Sequence, residues 1–232
     1  MMTILFSVRQ SDLAPNLLIA DGVKLADDVE IGANVVLHEG CSIGAGVRLD
    51  DGVILGRVPT LGRRSRTDPP QRQPTTVDAG AIVCPYTIVD AGAWIGSHAF
   101  VGDRVSVRGG ARLREDVSIG GASVVGPDVD VGERVRTQSH CVIGPGVLIE
   151  PDVFLGPAVH ILTGRPMSAA PRKPPPVLRR GCQIGAGVQI MPGVEVGEEA
   201  VVGAGALVLG DVPPGGVVAG VPATGLGARA LP

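Results

Sequence analysis

Val107-Arg108-Gly109-Gly110-Ala111-Arg112-Leu113-Arg114-Glu115-Asp116-Val117-Ser118-Ile119-Gly120-Gly121-Ala122-Ser123-Val124-Val125 brings an aliphatic residue back at every sixth position: Val107, Leu113, Ile119, Val125. Working outward, the same beat holds without a slip from Val77, Val83, Val89, Ile95 and Val101 to Val131, Thr137, Ile143, Ile149, Leu155 and Ile161. An earlier run covers Ile19, Leu25, Ile31, Leu37, Ile43, Leu49 and Leu55, and a later one Leu178, Ile184, Ile190, Val196, Val202 and Val208. Among these anchors only Thr137 is not Val, Ile or Leu. A period of six is neither the 3.6 of a helix nor the 2 of a plain strand. It fits a three-sided coil in which each side is a short strand and each corner a tight turn.

Residues two positions before the anchors are also small or apolar, as at Val29, Val35, Cys41, Val47, Val53, Val117, Ser123 and Val129. Both sets are expected to point into one narrow interior. Glycine often follows the anchor, at Gly32, Gly44, Gly96, Gly120, Gly144 and Gly185. This predicts that it supplies the backbone freedom the corner needs. Fixed-period self-similarity marks a solenoid whose coils bury their faces on their neighbours.

The chain has 232 residues, with 35 Gly and 20 Pro, yet 44% hydrophobic content at regular anchors argues against disorder. Aromatics are only 2%, which suits a slender prism and disfavours nucleic acid binding by base stacking. No 18-residue apolar stretch and no signal-like start are present in this sequence, so a cytoplasmic protein without membrane contact is the expectation. Cys41, Cys141 and Cys182 stand two before an anchor and read as core residues, and Cys84 stands at a corner. No spacing indicates a metal site.

Two segments interrupt the hexads, 57–76 and 163–177. The first carries Arg57, Arg63, Arg64, Arg66 and Arg72 against Asp68, and the second, with the residues just after it, carries Arg165, Arg172, Lys173, Arg179 and Arg180 with no acid. The net charge of the whole chain is −3, so bases are segregated onto these loops in sequence. Guanidinium forks suit phosphate and carboxylate recognition, and long loops in a compact domain are usually functional.

The units Ile43-Gly44-Ala45-Gly46-Val47-Arg48 and Ile184-Gly185-Ala186-Gly187-Val188-Gln189 resemble the hexapeptide repeat of left-handed parallel β-helix proteins. The resemblance implies an all-β, left-handed prism of about nine coils, roughly 45 Å long at a strand spacing of about 4.8 Å. The expected organisation is a lead-in at 1–18, the β-helix domain over 19–222 and a tail at 223–232. Members of this family are typically homotrimeric acyltransferases that use acetyl-CoA or another acyl-coenzyme A in clefts between adjacent prisms.

Arg136-Thr137-Gln138-Ser139-His140-Cys141-Val142-Ile143, followed by Ile149-Glu150-Pro151-Asp152-Val153-Phe154-Leu155-Gly156-Pro157, is similar to the N-acyltransferases of nucleotide-linked amino sugars. Gln138 matches that family's Gln-Asn-Asn triplet, whereas Ser139 and His140 replace its asparagines. The related sugar O-acetyltransferases place a catalytic His in the loop after this motif, where Arg165 stands here. The resemblance therefore implies substrate contacts from Arg136, Gln138, Arg165, Arg63 and Arg64. It implies coenzyme A contacts from Gly185, Ala186, Gly203, Ala204, Lys173, Arg179 and Arg180. Acyl transfer needs a base, most often His, and His140 and then His160 are the candidates. His38 and His98 lie on a face carrying no other motif.

Two other readings of the acceptor stand beside this one, a hydroxyl and a small amine such as an antibiotic. A nonenzymatic scaffold is the reading from a different class. A zinc carbonic anhydrase on this fold would need three convergent histidines, two of them close in sequence, and no such pair is present.

Overall fold

The structure, a computed structural model, describes residues 8–63, 73–164 and 173–228. The described residues form a left-handed parallel β-helix of about ten turns with no helix. Its short strands stack into three sheets of eleven, eleven and nine strands. Face A holds the strands from Leu17–Ala20, Val36–Leu37 and Ile54–Arg57 to Leu207–Val208. Face B runs from Lys24–Leu25 to Glu195–Val196, and face C from Glu30–Ile31 to Gly216–Ala219. The chain visits A, B and C in that order, so residues 18 apart stack on adjacent rungs, as Val107 does on Val125.

The anchors and the residues two before them form one continuous core. Leu113, Ile119, Ile143, Ile149 and Leu155 are fully buried, and so are Val35, Val47, Val53 and Val129. The residue between each such pair faces out. At about 25 cal/mol per Å2, this repeated aliphatic burial is the main favourable term in folding. Thr137, the one polar anchor, is buried with its hydroxyl accepting the Gly120 N–H at 3.1 Å. Within the first run, Val29, Ile19, Leu25 and Ile31 are only partly buried, because that end of the prism has no further rung above it.

The corner glycines act differently from the sequence expectation. Gly32, Gly44, Gly96, Gly120, Gly144 and Gly185 are not the positive-φ residues. That conformation falls two positions later, at Asn34, Gly46, His98, Ala122, Gly146 and Gly187. The glycine after the anchor is needed instead for close approach. A Cβ at Gly44 would lie 2.8 Å from the Ala79 nitrogen, and one at Gly96 2.7 Å from the Arg114 carbonyl carbon.

Both ends carry antiparallel strands that the hexads do not announce. Val8–Ser11 pairs with Leu17–Ala20 within the expected lead-in, and Thr224–Ala228 pairs with Gly216–Ala219 in the expected tail. Each covers an open sheet edge of the solenoid, which would otherwise expose unpaired backbone groups.

Candidate functional site

Most of the motif residues gather along one edge of the prism, where face C turns into face A. Gln138, Ser139 and His140 form this corner on one rung, Gly156, Pro157 and Ala158 on the next. Gly185 and Ala186 and then Gly203 and Ala204 follow on the two rungs after that. The corners are tied rung to rung: His140 N–H donates to Gly121 O at 2.9 Å, Ala158 N–H to Ser139 O at 3.0 Å, and Gly187 N–H to Pro157 O at 2.8 Å. His140 is exposed and takes the positive φ of 63° that the corner imposes. Below it the edge bears Pro157 and then only alanines and glycines, Ala158, Ala186 and Ala204 among them. A linear ligand could therefore lie along the coils at van der Waals distance from the backbone.

Arg136 faces outward on face C, with its guanidinium 5.8 Å from the Phe154 ring centre on the next rung. Such cation–π stacking leaves the guanidinium's hydrogen-bond donors available. Gln138 itself is exposed, and its carbonyl accepts the Cys141 thiol at 3.2 Å. His160 is half-buried on face A, opposite Val142 on the His140 rung and Gln189 on the following one. His140 thus lies in the corner and His160 on face A one rung on.

Among the described residues, the bases of the two interrupting segments do not join this edge. Both interrupting segments leave from face A and return to face B, so they emerge from the opposite side of face A, five rungs apart. Arg63 is exposed at the start of the first, and Lys173 lies over Gly193, its Cδ 3.0 Å from where a Cβ there would stand. Arg64 and Arg165 fall outside the described residues.

Arg179 and Arg180 sit at the third edge, between faces B and C, and are already paired with acids. Arg179 holds Glu150 at 2.7 Å and Glu195 at 2.8 Å. The Arg180 N–H donates to Glu150 at 2.9 Å, and its guanidinium reaches Asp152 at 3.3 Å. The Arg179 bond holds Glu150 and Glu195 below the usual carboxylate range, and the Arg134 bond does the same for Asp152. The segregation of bases from acids in sequence is therefore undone in space, because the coil stacks residues from different turns side by side. His98 is exposed at this third edge as well, with its ring packed over Gly80.

His38, weighed among the histidines, and Arg57, counted among the bases of the first segment, converge where that segment leaves face A with Asp90 and Arg108, which sequence reasoning passed over. The signal was available in part, since Asp90 and Arg108 follow the anchors Val89 and Val107 one coil apart and so stack on each other. Arg57 was not so readable, because it reaches Asp90 only through an extra residue in its strand.

The hexapeptide repeat read from the sequence is borne out, since residues 175–210 match the family described as "Bacterial transferase hexapeptide (six repeats)". Over 82 residues, 35% of this chain, it is 43% identical to the serine acetyltransferase of Buchnera aphidicola subsp. Schizaphis graminum, matching 31% of that protein. It is 41% identical over 86 residues to the galactoside O-acetyltransferase of Escherichia coli, covering 34% of this chain and 40% of the other. The chain thus spans well under half the length of these curated relatives. Among solved structures, a UDP-N-acetylglucosamine acyltransferase from Campylobacter jejuni superposes with a TM-score of 0.58 at 15% identity. That match covers 95% of this chain and 75% of the other, a likeness of fold. No helix among the described residues is long and apolar enough to cross a membrane.

Proposed function

We propose that this protein is an acyltransferase that takes its acyl group from an acyl-coenzyme A, most simply acetyl-CoA. The observation that carries the reading is the edge between faces C and A, where exposed His140 stands at the head of a run of glycines and alanines. The partial matches to serine and galactoside acetyltransferases support the same reaction class. The pantetheine arm would lie along Gly185, Ala186, Gly203 and Ala204, where no side chain beyond a methyl obstructs the backbone. Lys173 is exposed, and from the far edge of face A it would meet the phosphates of coenzyme A held by a neighbouring copy. Arg179 and Arg180 could serve only by exchanging their carboxylate partners.

In this reading His140 removes a proton from the acceptor as it attacks the thioester carbonyl. The tetrahedral oxyanion is met by a backbone N–H at the corner, and the pair of electrons leaves with the coenzyme A sulfur. His160, one rung on, is the alternative base. Arg136 and Gln138 orient the acceptor; Arg63, on the far edge of face A, could join them only from a neighbouring copy. The acceptor read from the sequence is the amino group of a nucleotide-linked amino sugar. A hydroxyl acceptor is the second reading, favoured by the matches to two enzymes named for serine and galactoside acetylation.

The assembly that goes with this reading is a homotrimer packed through face A. The positions between its inward pairs are Leu18, Val36, Ile54, Ile88, Ser106, Val124, Val142, His160, Gln189 and Leu207, none of them an acid, lysine or arginine, and half-exposed Arg57 stands at its edge toward face B. Face B, by contrast, presents Lys24, Arg112, Asp130 and Glu195, and face C presents Glu30, Arg48 and Arg136.

The test is release of free thiol from acetyl-CoA against nucleotide-linked amino sugars, small amines and small alcohols, serine and galactosides included. Turnover with one class assigns the acceptor. No turnover with any acceptor, together with no binding of coenzyme A, would favour a scaffold.

A further inference from the structure

A second cleft lies at the opposite edge, where the first segment leaves face A. Its volume is about 510 Å3, and it is lined by Val36, His38, Ile54, Arg57, Val58, Pro59, Thr60 and Arg108, with no acid among these residues. Its cationic wall is organised by one carboxylate behind it. Asp90 has no exposed surface. Its Oδ1 accepts from Arg57 Nε at 3.0 Å and Nη2 at 2.8 Å, and its Oδ2 from Arg108 Nη1 at 3.2 Å. The two guanidinium side chains remain 32% and 40% exposed. One buried negative charge thus fixes two positive ones side by side, and the wall keeps an excess positive charge.

The backbone is shaped for this arrangement. The register between the two strands shifts so that Asp90 pairs with Arg57, and Gly56 takes a positive φ of 74°. A β-bulge of this kind re-aims the next side chain. A Cβ at Gly56 would lie 2.6 Å from the Cys41 sulfur, so the glycine is required. A structural ion pair for Asp90 needs only one arginine. The second arginine, and the open cleft in front of both, are what an anion would use.

We infer that this cleft is an anion subsite in which Arg57 and Arg108, held by Asp90, bind the oxygens of a phosphate monoester or a carboxylate. Val36 and Ile54 form the apolar floor on which the rest of that small molecule lies. The inference does not rest on the acyl-transfer reading, because it concerns a different edge and is tested without an acyl donor; in a trimer packed through face A, Val36 and Ile54 would be shared with the contact between copies.

The experiment is calorimetric titration of the whole chain, at low ionic strength, with inorganic phosphate and separately with acetate. Arg108→Gln and Thr60→Glu serve as variants, their folding checked by circular dichroism. Thr60 is exposed at the rim, so a carboxylate there opposes an anion without touching the Asp90 pairs. The wild type is expected to bind one equivalent of at least one anion, with both variants weaker by about tenfold or more, the scale of one lost charge-assisted contact. Preference for phosphate assigns a phosphate ester and preference for acetate assigns a carboxylate; either supports the subsite. Absence of binding by both anions, or an affinity unchanged in Thr60→Glu, overturns it. If Arg108→Gln fails to fold, Thr60→Glu decides alone.

Discussion

Asp90, wholly buried, accepts two hydrogen bonds on one carboxylate oxygen from Arg57, a residue 33 positions earlier in the chain. The two meet because the first segment leaves the prism and rejoins it without losing the coil, so the next face A strand, Ile88–Asp90, stacks on Ile54–Arg57, the strand before the insertion. A buried carboxylate left without its partner is far more costly than a half-exposed guanidinium left without its own.

The expected consequence is an asymmetry. Removing both partners, Arg57→Ala with Arg108→Ala, should lower stability by about 3 kcal/mol or more, the range for stranding a buried charge. Asp90→Ala should cost less, because the freed guanidiniums turn toward water. Urea unfolding followed by circular dichroism measures both; a larger loss for Asp90→Ala would contradict this account of the pair.

The Arg179 network gives a pH dependence of known sign. Glu150 and Glu195 are held below the ordinary carboxylate range by Arg179. Their contribution is therefore fully present above the unfolded-state value of about 4.3 and is lost as pH falls through the depressed folded values. The melting-temperature gap between wild type and Arg179→Ala should be widest near pH 6 and close on acidification below about pH 4. A gap that widens toward acid would refute the assignment.

The three inward cysteines make the register itself testable. Burial pushes the Cys41 and Cys182 thiols up to about 12 and raises that of Cys141. Cys84 is less buried and raised mainly by desolvation. A thiol reagent at pH 8 should modify no cysteine of the native protein other than Cys84, and all four in urea. Rapid native modification of Cys141 would mean that the face assignments are shifted.

Much of this was legible in the residues, and the limits have physical causes. Leu113, Ile119 and Val125 report the prism directly, because an interior this narrow accepts little but aliphatic side chains. Thr137 could not be explained from its neighbours in sequence, since the N–H it satisfies belongs to Gly120, one coil away. The role of Gly44 or Gly96 was misread for the same reason: what excludes a Cβ is the next rung. Arg179 looked like a free phosphate ligand until stacking brought Glu150 and Glu195 beside it. Local sequence reports inside and outside, but charge pairing depends on which turns lie next to one another.

If face A is the trimer contact, Val142→Glu should yield a monomer in sedimentation velocity, because an unpaired carboxylate would be desolvated in the interface. Val142 is 38% exposed on the single column, so the substitution should leave the column itself folded. An unchanged sedimentation coefficient would place the contact elsewhere.

The central claim is that chemistry takes place at the edge headed by His140, and thiol release from acetyl-CoA by His140→Ala tests it most directly. With coenzyme A affinity measured in parallel, turnover should fall by at least about tenfold, the low side of a general base's contribution, while affinity is nearly unchanged. A variant that turns over at the wild-type rate would contradict the account.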